Sequence, residues 1–412
     1  MKNIGIEKIG VYTTPLKCNI LELASHRGES LDYVKDSLLV SERSIAPLWE
    51  DSVTMAVNSA KSLLTEEDCE NIGLLIAATE TGLDQEKTIS TWAHRYLNLP
   101  STCRVFELKI ACHAGAAALK MAESWIASGL NRGKKALILN TDMSYNMINK
   151  GRMEYSLGAG AIALLVSDKS DVAVIESGKS GIHTHEVTDV IRPVPWKEIA
   201  LDVEASLFSY MDGLEYAFDE YTKCAGDEVD EDYFDYNLYH VPFPGMAKEA
   251  HKLLLELQGQ FDKQQRVQSF EQKVLPSLYY PQQIGATYAG SIFLSLFSLI
   301  QQAKQIKADE RIGIYSYGSG SCSEFFSMLV GQQAKAVTQP QAAQLEQLLQ
   351  KRYSLSVNQY ETLENTRSEV VQQVDFEPDF TVFDNLYENH YKNSGLLVLK
   401  QIKDHQRFYE FA

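Results

Sequence analysis

The strongest constraint on the fold is an alternation of two periods through the first 170 residues. Short aliphatic runs, "NIGLLIAAT" (71–79), "CRVFELKI" (103–110), "KALILNTD" (135–142) and "AIALLVSD" (161–168), are separated by segments of helical length at 51–64, 86–97 and 113–128. Runs of four to nine apolar residues bounded by such segments read as buried strands joined by crossover helices, which implies an α/β layered fold built from βαβ units. The second half repeats the idea more loosely. Helical segments near 201–223, 245–259 and 283–304 alternate with strand-like runs at 237–243, 311–318 and 324–330. Two similar halves place their chemistry where they meet. The Gln- and Glu-rich stretch 332–371 reads as surface helix and loop, and the acidic stretch 226–235 as a solvated connector.

The formal charge of −17 (38 basic, 55 acidic residues) argues against nucleic acid as a partner, because phosphates need a positive face. Six cysteines, at 18, 69, 103, 112, 224 and 322, form no Cys-x-x-Cys pair and no cluster with histidine. Neither a disulfide framework nor a metal site is expected, and reduced thiols fit a cytoplasmic enzyme. The N-terminal "MKNIGIEKIGVY" reads as a strand rather than a signal peptide. "SIFLSLFSLI" from Ser291 is too short to span a bilayer and reads as buried helix, so no membrane partner is expected.

Four places carry residues with chemical potential. Cys112 lies at the seam of "VFELKIACHAGAAALKMA", where an alternating strand gives way to a helix of small residues. A helix start favours thiolate and offers backbone donors to an oxyanion; a buried structural cysteine is the alternative. Glu80 closes "LLIAATETG", where burial after an aliphatic strand raises a carboxyl toward general-base duty; a turn-capping acid is the alternative. His240 in "YHVPFPGM" follows a strand and precedes two prolines, which suits either a positioned acid/base or a hydrogen-bonded core histidine. Gly318, Ser319, Gly320 and Ser321 follow a strand in "YSYGSGSCSEF", as an oxyanion cradle or a plain tight turn.

In this order the four motifs resemble the 3-hydroxy-3-methylglutaryl synthases of the thiolase superfamily, from "IGIEKIGVY" to about residue 330. The resemblance implies a thiolase-like α/β fold with two similar βαβ-type halves, 1–170 and 171–412, in an αβαβα layering, assembled as a homodimer. It implies that Cys112 takes an acetyl group, that Glu80 deprotonates its methyl, and that His240 serves the oxygen of the attacked ketone. Backbone N–H groups of Cys112 and the Ser319 loop would hold the thioester oxygen. No cofactor is implied.

"FPGM" (243–246) and "GSGSCSEF" (318–325) are most similar to the branch that installs β-branches on polyketide chains. Gly245 stands where the CoA-using enzymes of the family carry a lysine. The expected partners are therefore an acetyl-loaded donor acyl-carrier protein and a β-ketoacyl acceptor carrier protein. A CoA-dependent synthase of the mevalonate pathway and a catalytically weakened scaffold or binding subunit are the alternatives. A ketoacyl synthase III-like enzyme fits less well, because such enzymes lack the glutamate and keep an asparagine. That asparagine is expected in "QQIGATYAGSIF", where this chain has Ala286. Tyr145, Tyr288 or a water is a candidate to replace it in binding the acceptor. Arg27, Lys150, Arg152, Lys248 and Lys252 are expected to form a basic rim for an acidic carrier protein.

Overall fold

Nine strands share one sheet: β1 (Gly5–Thr13), β2 (Ile72–Ala78), β3 (Arg104–Leu108), β4 (Lys135–Met143), β5 (Ala159–Ser167), β6 (Ala173–Thr184), β7 (Tyr236–Tyr239), β8 (Arg311–Gly318) and β9 (Cys322–Val330). Their order across the sheet is β7-β8-β9-β6-β1-β5-β4-β2-β3. The structure is a computed structural model describing residues 3–194, 199–226, 228–260, 262–370, 373–383 and 385–412. Asp227 and Val371, within two of the segments read from sequence, lie outside the described residues.

The sheet is mixed, which the alternation of periods did not reveal. β2 runs parallel to β3 and β4, and β7 parallel to β8. The β4–β5, β5–β1, β8–β9 and β9–β6 ladders are antiparallel. The reason lies in the connections: only three residues, 319–321, join β8 to β9, far too few for the crossover that parallel neighbours need. β1 and β6 join the two sides of the sheet through Gly5↔Val174 and Ile6↔Ala173. A Cβ at Gly5 would stand 2.0 Å from the Ala173 carbonyl oxygen, so only glycine permits that approach.

Helices α1 (Ser52–Lys61), α2 (Ile89–Tyr96), α3 (Ala114–Ala127), α4 (Val203–Ala225), α5 (Met246–Leu257) and α6 (Ser291–Gln302) pack on the strands. The main core joins Ala118 and Leu119 of α3 and Phe293 and Phe297 of α6 to strand residues from both sides of the sheet, including Ile76, Ile138, Ile312 and Phe326. The small residues of α3 serve this layer: a Cβ at Gly115 would meet the Ala289 carbonyl at 2.2 Å. As expected, "SIFLSLFSLI" is buried helix throughout. No described helix is long and apolar enough to cross a membrane.

Two expectations are corrected. The segment 283–304 is not one helix. A short helix, Pro281–Ile284, stops at Gly285 (φ 85°), and a tight turn over Tyr288–Gly290 precedes α6. The chain crosses Gly158 there, where a Cβ would lie 2.1 Å from the Ile284 carbonyl oxygen. The stretch 332–371 is not only surface. Helix α7 (Ala334–Lys351) buries Thr338, Ala342, Leu345 and Leu349, a narrow stripe at helical spacing that a low apolar content concealed, and helix α8 (Val357–Val370) follows it.

Candidate active site

Glu80 follows β2 directly, and Cys112 follows β3 after an isolated bridge between Ile110 and Cys112. Adjacent parallel strands ending at one edge bring the two side chains together, and the Cys112 thiol donates to Glu80 Oε1 at 3.0 Å. Ala111, at φ 44°, turns the backbone sharply before the cysteine. Gly318 packs on the same turn: a Cβ there would meet the Ile110 carbonyl at 2.5 Å and His113 N at 2.9 Å.

The electrostatics correct one expectation. Helix α3 begins at Ala114, with His113 at its N-cap, so Cys112 stands outside it. Burial first, then the carboxylates of Glu80, Asp142 and Asp189, push the Cys112 thiol well above its usual range. Burial and the nearby negative charges both act against the thiolate that a helix start would favour. Burial likewise raises the Glu80 carboxyl, opposed by the Cys112 thiol and by the charge of Arg192.

His240 follows β7. Its N–H donates to the Tyr315 carbonyl at 2.7 Å, and its own carbonyl accepts from the Tyr210 hydroxyl at 2.8 Å. The ring contacts Ser291 Oγ through Nδ1 at 2.7 Å. Burial, reinforced by nearby His113, lowers His240 to about 3, so the imidazole is neutral at physiological pH.

Glu80, Cys112 and His240 line one cavity of about 120 Å³, together with Ala286, Tyr288 and Ser319. Its wall is mainly apolar, with Leu157, Ile199, Leu207 and Phe243 among the lining residues. Ala286 is 3% exposed and held by Ala286 N–H to the Ser156 carbonyl and Gly158 N–H to its own carbonyl. Tyr288, at φ 47°, is buried with a hydroxyl that finds no protein partner. Tyr145 lines a different cavity, beside Arg192 and Arg407, which removes it as a neighbour of Ala286. Gly318 does not line the Cys112 cavity; it lets β8 press on the Cys112 turn while Ser319 reaches the cavity. No group of three metal-ligating side chains occurs among the described residues.

The expected basic rim is reduced. Arg152 lines the cavity and lies over the Phe243 ring. Arg27 is neutralised by Glu154 (2.8 Å) and Glu361 (2.6 Å), and Lys248 donates to the Asp36 carbonyl. Lys252 is exposed on α5 and Lys150 is half-buried.

Three ionisable residues escaped the sequence reading. Buried Asp142 Oδ1 accepts from the backbone N–H groups of Glu80 (2.9 Å) and Thr81 and from the hydroxyls of Thr79 and Thr81, while Oδ2 accepts from Ala289 N–H at 3.2 Å. It ties the Glu80 turn to the Tyr288 turn, and burial raises it to about 7. Asp189 accepts from Tyr317 OH and Gly320 N–H, each at 2.9 Å, and so holds the Ser319 loop. Arg192 approaches the Glu80 carbonyl at 3.5 Å. Asp142 ends the run "KALILNTD" just as Glu80 follows its own; a carboxylate closing a buried strand was the available signal.

Known proteins now locate the chain. The N-terminal and C-terminal models of hydroxymethylglutaryl-coenzyme A synthase match residues 1–171 and 261–411. The chain belongs to the hydroxymethylglutaryl-coenzyme A synthase family. This synthase is therefore an acyltransferase that forms carbon–carbon bonds, on a thiolase-like fold. It is 37% identical over 382 residues, covering 88% of each chain, to the polyketide biosynthesis 3-hydroxy-3-methylglutaryl-ACP synthase PksG of Bacillus subtilis. It superposes on the HMG synthase of the curacin biosynthetic pathway, solved with apo donor-ACP, with a TM-score of 0.93 and 36% identity over 99% of this chain and 100% of that one. Likeness to MvaS in complex with 3-hydroxy-3-methylglutaryl coenzyme A is lower, with a TM-score of 0.88 and 30% identity over the full length of both.

Proposed function

We propose that this synthase condenses an acetyl group, carried on Cys112, with the β-keto carbon of a carrier-protein-bound thioester and so installs a β-branch in a polyketide chain. The observation that carries the reading is the 3.0 Å contact between the Cys112 thiol and Glu80 in a cavity that His240 also lines. Cys112 Sγ attacks the donor thioester, and the thiol proton leaves with the departing carrier thiol. Glu80, raised above an ordinary carboxylate, then removes a methyl proton. The carbanion attacks the ketone; a neutral His240 donates a hydrogen bond to the developing alkoxide, which takes up the proton that Glu80 removed, so that Glu80 is again ionised when the carbon–carbon bond is complete. With Nδ1 engaged by Ser291 Oγ, the tautomer in which Ser291 donates carries the imidazole proton on Nε2, the nitrogen that would serve the alkoxide. Tyr288, with its unpartnered hydroxyl in the same cavity, is the better placed substitute for the asparagine missing at Ala286. Cys112 and Ser319 supply the oxyanion donors, and Gly318 acts as spacer.

The carrier-protein branch is supported at Gly245. A Cβ there would stand 1.7 Å from the Ser37 carbonyl oxygen, so the segment before Leu38 fills the space that a lysine side chain would need. Both named carrier-protein enzymes resemble this chain more than the CoA-bound relative does. The donor and acceptor are then acyl-carrier proteins in the cytoplasm. We read 1–170 and 171–412 as the two halves of the thiolase-like fold. We also propose a homodimer formed across edge strand β3, whose Val105, Phe106 and Leu108 are only half-buried. Intact mass spectrometry after mixing with acetyl-loaded carrier protein or acetyl-CoA tests the assignment. Acetylation of Cys112 from carrier protein at least tenfold faster than from CoA is expected; preference for CoA overturns it.

A further inference from the structure

Release of product from Cys112 needs a water molecule, and the proposed substrates restrict its route. After condensation the product is tied to Cys112 by one thioester and to the carrier by another. On that reading the carrier's arm would enter the apolar cavity from its mouth.

A second cavity, of about 210 Å³, lies across the turn that carries Glu80. Glu80 lines the Cys112 cavity, while Gly82 and Leu83, two and three residues later, line the second. Its wall is rich in charge: Glu50, Asp51, Arg192, Arg367 and Arg407. Arg192 lines the second cavity and approaches the backbone carbonyl of Glu80, whose side chain lines the first. Two buried atoms of lining residues, Arg192 Nε and Glu50 Oε2, have no protein partner. Buried polar atoms are ordinarily satisfied, and ordered water meets those the protein leaves. A cavity needs about 10–15 Å³ of such volume and two to four polar partners to hold one water. This chamber offers the volume many times over, and its charged wall with these two unpartnered atoms offers the polar partners.

We propose that this chamber supplies the water that hydrolyses the acyl group from Cys112, delivered past Arg192 and the Glu80 turn; the inference rests on the synthase reading above. The water oxygen bonds to the acyl carbon while Glu80 takes one of its protons. The tetrahedral intermediate expels Cys112 as thiolate. The remaining acid proton passes to sulfur, leaving product carboxylate and free thiol, and Glu80 returns its proton to solvent.

Leu83→Trp and Ser368→Phe fill the chamber from two separate elements, neither lining the Cys112 cavity. Single-turnover reactions with acetyl-loaded donor and β-ketoacyl acceptor carrier proteins, quenched and read by intact mass, report each stage. Both variants are expected to acetylate Cys112 within twofold of the unmodified protein. They should accumulate the covalent protein–carrier adduct at least tenfold more. Normal acetylation and condensation without accumulation in either variant overturns the proposal. Loss of acetylation in both also overturns it, because the chamber would then serve the shape of the site. If the unmodified protein itself takes no acetyl group from carrier protein, the synthase reading fails instead.

Discussion

The two walls of the Cys112 cavity are built by opposite means. On the Glu80 wall, carboxylates are gathered at the ends of neighbouring strands; burial raises Glu80, and burial together with nearby negative charge raises Asp142 and the Cys112 thiol. On the His240 wall, neutral groups are fixed by backbone bonds to Tyr315 and Tyr210 and by Ser291, and burial lowers the imidazole. Ionisable groups with affinities for protons pushed in opposite directions divide acid from base work in one site. On the proposed reading, the difference means that one wall moves protons and the other holds oxygen.

Replacing Cys112 with alanine should have the largest effect, abolishing the acetyl-enzyme seen by intact mass and reducing turnover to background. Next, Glu80→Gln is expected to slow deuterium exchange of the acetyl methyl by about 10²–10⁴-fold. His240→Gln should leave that exchange within severalfold and slow condensation instead; equal loss of exchange in both variants would erase the distinction between the walls.

A pH profile sharpens it further. Glu80 must be ionised to act and is raised, so activity should fall with acid at a pH above the ordinary carboxylate range. His240 is already neutral above about 3, so no limb near 6.5 should arise from it. Asp142→Ala, which leaves the Glu80 and Ala289 N–H groups without their acceptor, should destabilise the fold by about 1–3 kcal/mol per buried unpaired group. It should also slow exchange more than acetylation. The smallest effect is expected at Gly245→Ala, where a methyl group forced against Ser37 costs about 1–3 kcal/mol in thermal or denaturant unfolding without altering the order of steps.

Much of the Glu80 wall was readable because its chemistry sits where strands end, and strand ends are visible as apolar runs closing on a polar residue. "LLIAATE" and "VFELKIAC" announced their residues that way, and "KALILNTD" would have announced Asp142. The other wall was less legible. Ser291 opens an apolar run that looks like plain helix, and the break at Gly285 that aims Ala286 and Tyr288 inward is hidden in a helical period. Tyr145 and Tyr288 were equivalent candidates in sequence and occupy different cavities in the fold.

By itself the sequence determined the α/β class, the burial of the small-residue helix after Cys112, and the grouping of Glu80, Cys112, His240 and Ser319 through family resemblance. These follow from local periodicity and motif order. Only the tertiary structure decided that the sheet is mixed, that the Cys112 thiol is raised rather than lowered, and that Arg192 of a second cavity reaches the Glu80 turn. Strand direction depends on how each connection returns, and the proton affinity of a buried group depends on every charge packed around it. Those neighbours come from distant parts of the chain.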